Sequence, residues 1–368
     1  MKKIIVISRN LSFLKLNLEF YIMLNNRFDI LFIEFNNIDS SITAFLIENK
    51  FKFINVSNYK RLNEILKNNK GSICLPNLCD QYTDWLLFII FKFNKLKLVL
   101  ISQMGDRGLT SSNKSNIYIN MIEKVIFMTS LMLRYMYVLP KYDLLFLASK
   151  NKVSEINKYN KFRKIIYVNS YHFDQVLNFK ESITEECIVF LDSNTPYHLD
   201  QIRMGLKLIE PKDYYDNLNK VFEKIEKYYN KKVVICAHPS FDMEKSEFCF
   251  RNRLVVKNKT LEYISQSKLV LLHNSTALNF AIAMRKPALL LDTDCFNTAM
   301  KHTLNIFYEE LGINKTNFYK DENILEVLKK TESINNEKYD SYIENYLAVS
   351  KDCQKNSTSL IIDRLLKS

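Results

Sequence analysis

KKVVICAHPS (231–240), RLVVKN (253–258) and KLVLLHNSTALNFAIAMRKPALLLDT (268–293) carry the reading of this chain. They contain four short apolar runs, Val233–Cys236, Leu254–Val256, Leu269–Leu272 and Ala288–Leu291, separated by polar or helix-like segments. Uninterrupted β-branched and leucine-rich runs of this length suit strands covered on both faces, as in a parallel sheet. Two runs end in distinctive groups, Ala237-His238-Pro239-Ser240 and His273-Asn274-Ser275-Thr276.

Ligands of open α/β sheets bind beyond the carboxyl ends of the strands. The second ending runs into a helix expected over Ala277–Met284, which puts Ser275 and Thr276 at its cap and first turn. Hydroxyls beside free backbone N–H groups make an anion site there. The competing reading is a plain helix cap. The His-Pro ending on a neighbouring strand favours the site.

An HP pair followed about 35 residues later by an S/T pair resembles the nucleotide-binding half of bacterial sialyltransferases and Kdo-type transferases, GT-B enzymes that use CMP-activated sugars. The matching text runs from Tyr214-Tyr215 to Lys286-Pro287, under a quarter of the chain. The resemblance implies that His238, with Pro239 shaping its turn, contacts the CMP phosphate. It implies that Ser275 and Thr276 hold that phosphate. His273, adjacent to Asn274 and the hydroxyl pair, either lines the same site with Asn274 or packs under it.

At 368 residues the chain exceeds what one core usually serves, so two domains are expected. The five glycines (Gly71, Gly105, Gly108, Gly205 and Gly312) build neither a GxGxxG nor a Walker loop. The net charge of +12 is spread without a dense basic tract, which argues against nucleic acid and for phosphorylated substrates or an anionic inner-membrane surface. Seven cysteines without a CxxC pair argue against zinc and fit a reducing cytoplasm.

The first half repeats strand and helix. Strands are expected at Ile4–Ser8, Ile30–Ile33, Phe53–Val56, Ile73–Leu75, Leu98–Ile101, Leu144–Leu147 and Lys164–Val168, with helices at Leu11–Leu24, Ser41–Glu48 and Tyr59–Asn68. Tyr171–Glu185 reads as a linker, and a second series opens at Cys187–Leu191 with a helix over Tyr214–Tyr229. The expected organisation is α/β, with a Rossmann-like acceptor domain at 1–175 and a Rossmann-like donor domain at 186–340. A C-terminal helix at 341–368 crosses back to the first domain, so that the two face a cleft in the GT-B layout. No run is long enough to span a bilayer. Lys124–Pro140, rich in Met, Phe, Tyr and Leu, reads either as a buried helix or as one lying on a membrane.

VFLDSNTPYHLD (189–200) places Asp192, Ser193, Asn194, Thr195, His198 and Asp200 directly after a strand. This is either a ligand-lined loop or a turn rich in turn-forming residues. As a site, Ser193 and Asn194 bond the donor. Inverting transfer also needs a general base for the acceptor hydroxyl. The sialyltransferases supply an acidic residue from a D/E-D/E-G motif, which this chain lacks. Gly105-Asp106-Arg107-Gly108 is the nearest analogue, leaving Asp106, Asp192, His198 and Asp200 as candidates. Asp292-Thr293-Asp294 fits the letters of a DxD metal motif but lies in the second domain, so a metal-independent enzyme without a cofactor is expected.

The function expected is an inverting glycosyltransferase that moves a nonulosonic acid (sialic, legionaminic or pseudaminic acid, or Kdo) from its CMP form to a glycan or glycolipid acceptor. Capsule, lipooligosaccharide and O-antigen are the glycans in view. It would work in the cytoplasm or on the inner membrane's cytoplasmic face, alone or as a homo-oligomer. The alternatives are a UDP-sugar transferase or CDP-polyol phosphotransferase of the same fold, or a non-catalytic glycan-binding partner.

Overall fold

The structure, a computed structural model, describes residues 1–8, 11, 14, 18–35, 40–77, 84–103, 125–126, 128–133, 136, 138–151, 153–154, 156, 160–180, 185–197, 209–320, 324–349 and 354–368. These residues fall into two compact units. One takes the described residues up to Ser170 together with those of Val349–Ser368, and the other takes Tyr171–Ala348.

The first unit is built on a seven-stranded parallel sheet ordered β3-β2-β1-β4-β5-β6-β7. Its strands are β1 (Lys3–Ser8), β2 (Asp29–Phe35), β3 (Lys52–Val56), β4 (Ile73–Pro76), β5 (Lys97–Ser102), β6 (Leu144–Leu147) and β7 (Ile165–Tyr167). Helices at Leu18–Asn25, Ser40–Glu48, Tyr59–Lys67 and Trp85–Phe93 connect its earlier strands. One face packs Ile4, Val6 and Phe32 against Ile361, Ile362 and Leu365 of the helix Ser357–Lys367. The other packs Ile5 and Ile33 against Phe88 and Phe91 of Trp85–Phe93.

The second unit holds a six-stranded parallel sheet ordered β10-β9-β8-β11-β12-β13. Its strands are β8 (Cys187–Leu191), β9 (Val233–Cys236), β10 (Val255–Val256), β11 (Ser267–Leu272), β12 (Ala288–Asp292) and β13 (Asn314–Asn317). Counted from its own first strand the order is 3-2-1-4-5-6, the doubly wound arrangement, with the switch point between β8 and β11. β8 and β9 are fully buried because their apolar runs have helices to cover them. The helix Pro211–Tyr229 starts three residues before the expected Tyr214: Pro211 preorganises its first turn, and the Glu210 carboxylate accepts the Asp213 N–H.

Several sequence expectations change. Tyr171–Glu185, read as a linker, opens with the helix Tyr171–Asn178, which belongs to the second unit and is held by an edge contact of His172 on Phe280. β13 escaped notice because its sequence, NKTN, carries no apolar run. It adds as an edge strand to β12 through backbone pairing. In the stretch 124–140, the described residues of 125–133 are helical and leave Val125, Met128 and Met132 exposed. Among the described residues no helix is long and apolar enough to cross a membrane.

Candidate functional site

The site is built at the carboxyl edge of the second sheet from the residues after β8, β9 and β11. After β8, Asp192 is buried, with 4% of its surface exposed. One carboxylate oxygen accepts the Asn194 N–H at 2.9 Å and the other the His238 N–H at 3.3 Å. Asp192 therefore ties the β8 loop to the β9 loop. Burial pushes its carboxyl up to about 6, against the pull of those two N–H groups.

Asn194 follows in the left-handed region, with φ of 51°. An asparagine tolerates this because its short side chain can bond locally, and such strain collects at functional loops. Its Nδ2 donates to Ser240 Oγ at 3.3 Å, while its buried Oδ1 has no hydrogen-bond partner among the described residues. Ser193 Oγ and Thr195 Oγ1 lie 2.7 Å apart, opening the short turn Thr195–Tyr197.

After β9, His238-Pro239-Ser240-Phe241 forms a tight turn in which the Phe241 N–H donates to the His238 carbonyl at 2.8 Å. Pro239 sits at the turn's second position, where its fixed φ is preorganised, and this accounts locally for the HP pair. Lys257 Nζ donates to the Pro239 and Phe241 carbonyls and braces the turn. The Ser240 N–H donates to His238 Nδ1 at 3.2 Å, and Ser240 Oγ lies 2.7 Å from the same nitrogen. An Nδ1 that accepts assigns the neutral ring's proton to Nε2. A chain of contacts thus runs from Asn194 through Ser240 to His238.

After β11 the arrangement differs. His273 has 0% exposure. Its Nδ1 bonds the Leu291 carbonyl, and its Nε2 lies 2.7 Å from Tyr214 Oη. Because a carbonyl only accepts, Nδ1 donates and Nε2 receives the tyrosine proton. The ring also stacks on Phe318 at 5.3 Å. Burial holds its pKa at about 4. His273 is thus packed under the edge, with neither nitrogen left to meet a ligand.

Asn274 and Ser275 are half-buried and Thr276 is exposed on the edge above it. The helix begins at Leu278, one residue later than expected, with Ala277 as its cap residue. Ser275 Oγ accepts the Ala277 N–H at 3.3 Å and organises the turn before the helix. Asp292 accepts the neighbouring Thr293 N–H at 2.7 Å, and Asp294 is paired with Lys320 at 2.8 Å, which lowers its pKa. Among the described residues no three His, Cys, Asp or Glu side chains are placed to share a metal ion.

The structure therefore brings together Asp192, Ser193, Asn194, His238 and Pro239, with Asn274, Ser275 and Thr276 at the next strand end. Asp106, His198 and Asp200 lie outside the described residues. Sequence reasoning missed Ser240, although it stands two residues after the histidine it contacts. It also missed Tyr214 as the partner of His273, for which the sequence carries no local signal.

No family model matches this sequence, and no curated protein matches it. Solved structures do. A Staphylococcus aureus MnaA–UDP co-structure superposes with a TM-score of 0.54 at 16% identity, covering 100% of this chain and 96% of its own. A UDP-GlcNAc 2-epimerase from Methanocaldococcus jannaschii gives 0.52 at 13%, covering 100% of both chains. The wall teichoic acid polymerase TagF gives 0.53 at 13%, covering 100% of this chain and 88% of its own. Identities this low speak for the fold alone, and the fold is GT-B, two Rossmann-like units with the C-terminal helix returned to the first.

Proposed function

We propose that this chain is an inverting, metal-independent glycosyltransferase that moves a nonulosonic acid from its CMP-activated form to a glycan or glycolipid acceptor. The observation that carries the reading is the His238 turn. Pro239 sets it, Lys257 braces it, and Ser240 engages Nδ1, so that the ring carries its proton on Nε2, the donor this reading assigns to the phosphate. Ser275 and Thr276, on the other side of the switch point, supply hydroxyls for the same anion, and a basic chain suits a carboxylated donor with a phosphate leaving group.

Asp192, with both oxygens engaged, serves this chemistry by positioning the two loops. The proton of the acceptor hydroxyl then goes to Asp106, His198 or Asp200. Asp-to-Asn and His-to-Gln changes at those positions separate them: the base variant loses at least about tenfold in turnover, about 1.4 kcal/mol of barrier. Work at the cytoplasmic face of the inner membrane fits a lipid-linked acceptor, and the exposed apolar residues Val125, Met128 and Met132 support that placement.

A second reading is a UDP-sugar enzyme, favoured by the fold shared with the MnaA–UDP co-structure. A thermal-shift screen with CMP, CDP, UDP and GDP decides between them, because a ligand of the native state raises the melting temperature by mass action. Stabilisation by CMP, lost in His238→Ala, supports the first reading. Selective stabilisation by UDP replaces the donor, and silence toward all four nucleotides favours a non-catalytic glycan-binding protein.

A further inference from the structure

Next to the His238 turn lies a pocket of about 150 Å³ lined by Asn194, Tyr197, Ser240, Phe241, Asp242 and Lys245. It has room for a group the size of one sugar ring. Three observations define what it would hold. Asn194 is 4% exposed, yet among the described residues its Oδ1 has no partner. A buried amide oxygen left without a donor carries a desolvation cost, which a ligand O–H or N–H would remove. The second is charge. Among the described residues Lys245 is the lone cation in the wall, it lies 3.8 Å from Asp242 and 4.6 Å from the centre of the Tyr197 ring, and Glu244 and Glu247 are its near neighbours in sequence. A wall of acceptors beside a lysine that already faces a carboxylate suits an uncharged donor-bearing group better than an anion. The third is continuity, because Ser240 lines the pocket and also bonds His238 Nδ1.

We propose that this pocket takes the uncharged, hydroxyl- or N-acyl-bearing part of the donor's sugar, with Asn194 Oδ1 accepting one O–H or N–H and Asp242 a second. The proposal rests on the nucleotide-sugar reading above. One molecule then spans the site, its phosphate on His238 and its sugar in the pocket.

The test is calorimetric titration of the full chain with CMP, CMP-N-acetylneuraminic acid, UDP and UDP-N-acetylglucosamine. Asn194→Gly deletes the amide while tolerating the positive φ, and Asp242→Asn keeps the bond to the Glu244 N–H while removing a charged acceptor. Asn194→Gly is expected to weaken the preferred sugar nucleotide about fivefold or more while moving its bare nucleotide less than about twofold, with a smaller loss in Asp242→Asn. Equal losses for sugar nucleotide and bare nucleotide, or no loss for either, overturn the pocket assignment while leaving the nucleotide site standing. A wild-type chain that binds none of the four overturns the functional reading. N-acetylneuraminic acid and N-acetylglucosamine, titrated alone and followed by NMR, then judge the pocket: binding lost in Asn194→Gly supports it, and its absence overturns it.

Discussion

His238 and His273 both follow a strand of the second sheet, and both stand at its carboxyl edge. They do opposite work. The His238 ring is half-buried on a proline-set turn, with Nδ1 beside Ser240. The His273 ring is enclosed, donating to one carbonyl and receiving from one tyrosine. What separates them is the neighbouring structure: Pro211–Tyr229 sends Tyr214 under the β11 ending to bond the His273 ring, while the β9 ending is tied to the β8 loop through the His238 N–H and Ser240. A strand end is an address for ligands, and the element packed beneath it decides whether a side chain there can reach one.

The largest effect that would break this contrast is on stability. His273→Ala removes a fully buried ring together with its bond to Tyr214 Oη, so urea unfolding of the variant should show a loss of about 4 kcal/mol. His238→Ala should stay within about 0.5 kcal/mol of wild type in the same titration. Comparable losses would erase the distinction.

Next comes the pH dependence, where the two loops pull in opposite directions. Asp192 has a folded pKa near 6 against 3.8 for the free group, so its contribution is fully present below about 4 and is lost as pH rises to about 6. His273, held near 4 against 6.5, contributes above about 6.5 and loses that contribution as pH falls to about 4. Each is worth on the order of 3 kcal/mol across its window, with the signs opposed. Unfolding free energies between pH 4 and 6.5 should therefore tilt in mirrored ways. His273→Phe should lose stability relative to wild type as pH rises, and Asp192→Asn should gain it.

Smaller effects sharpen the functional side. His238→Ala should weaken CMP at least about tenfold by calorimetry, as expected for loss of a hydrogen bond to a charged group. Ser275→Ala should cost only about 0.5–1 kcal/mol of stability, because its hydroxyl satisfies a single turn N–H, and should weaken CMP less than His238→Ala does.

Most strands were readable because their burial is written as apolar runs: Leu144–Leu147 and Cys187–Leu191 match the expected bounds. β13 was not readable, since an edge strand needs backbone pairing more than apolar side chains. Tyr171–Asn178 was hidden for a related reason. Its buried residues include His172 and Asp174, polar types that sequence reading assigns to solvent. In the site, the HP turn was visible because proline acts locally. The role of His273 depends on a tyrosine 59 residues away, a contact that no spacing rule conveys.

The helix Ser357–Lys367 completes the first unit's core, and the Asn169 N–H donates to Ser357 Oγ across 188 residues of chain. A ribosome emits these parts in a fixed order, with N-terminal segments first. The sheet β1–β7 therefore leaves the exit tunnel with one apolar face only partly covered, by its own early helices, and keeps it so while the whole of Tyr171–Ala348 is made. The unit translated first is the one that finishes folding last, and in that interval it is the surface a chaperone would meet.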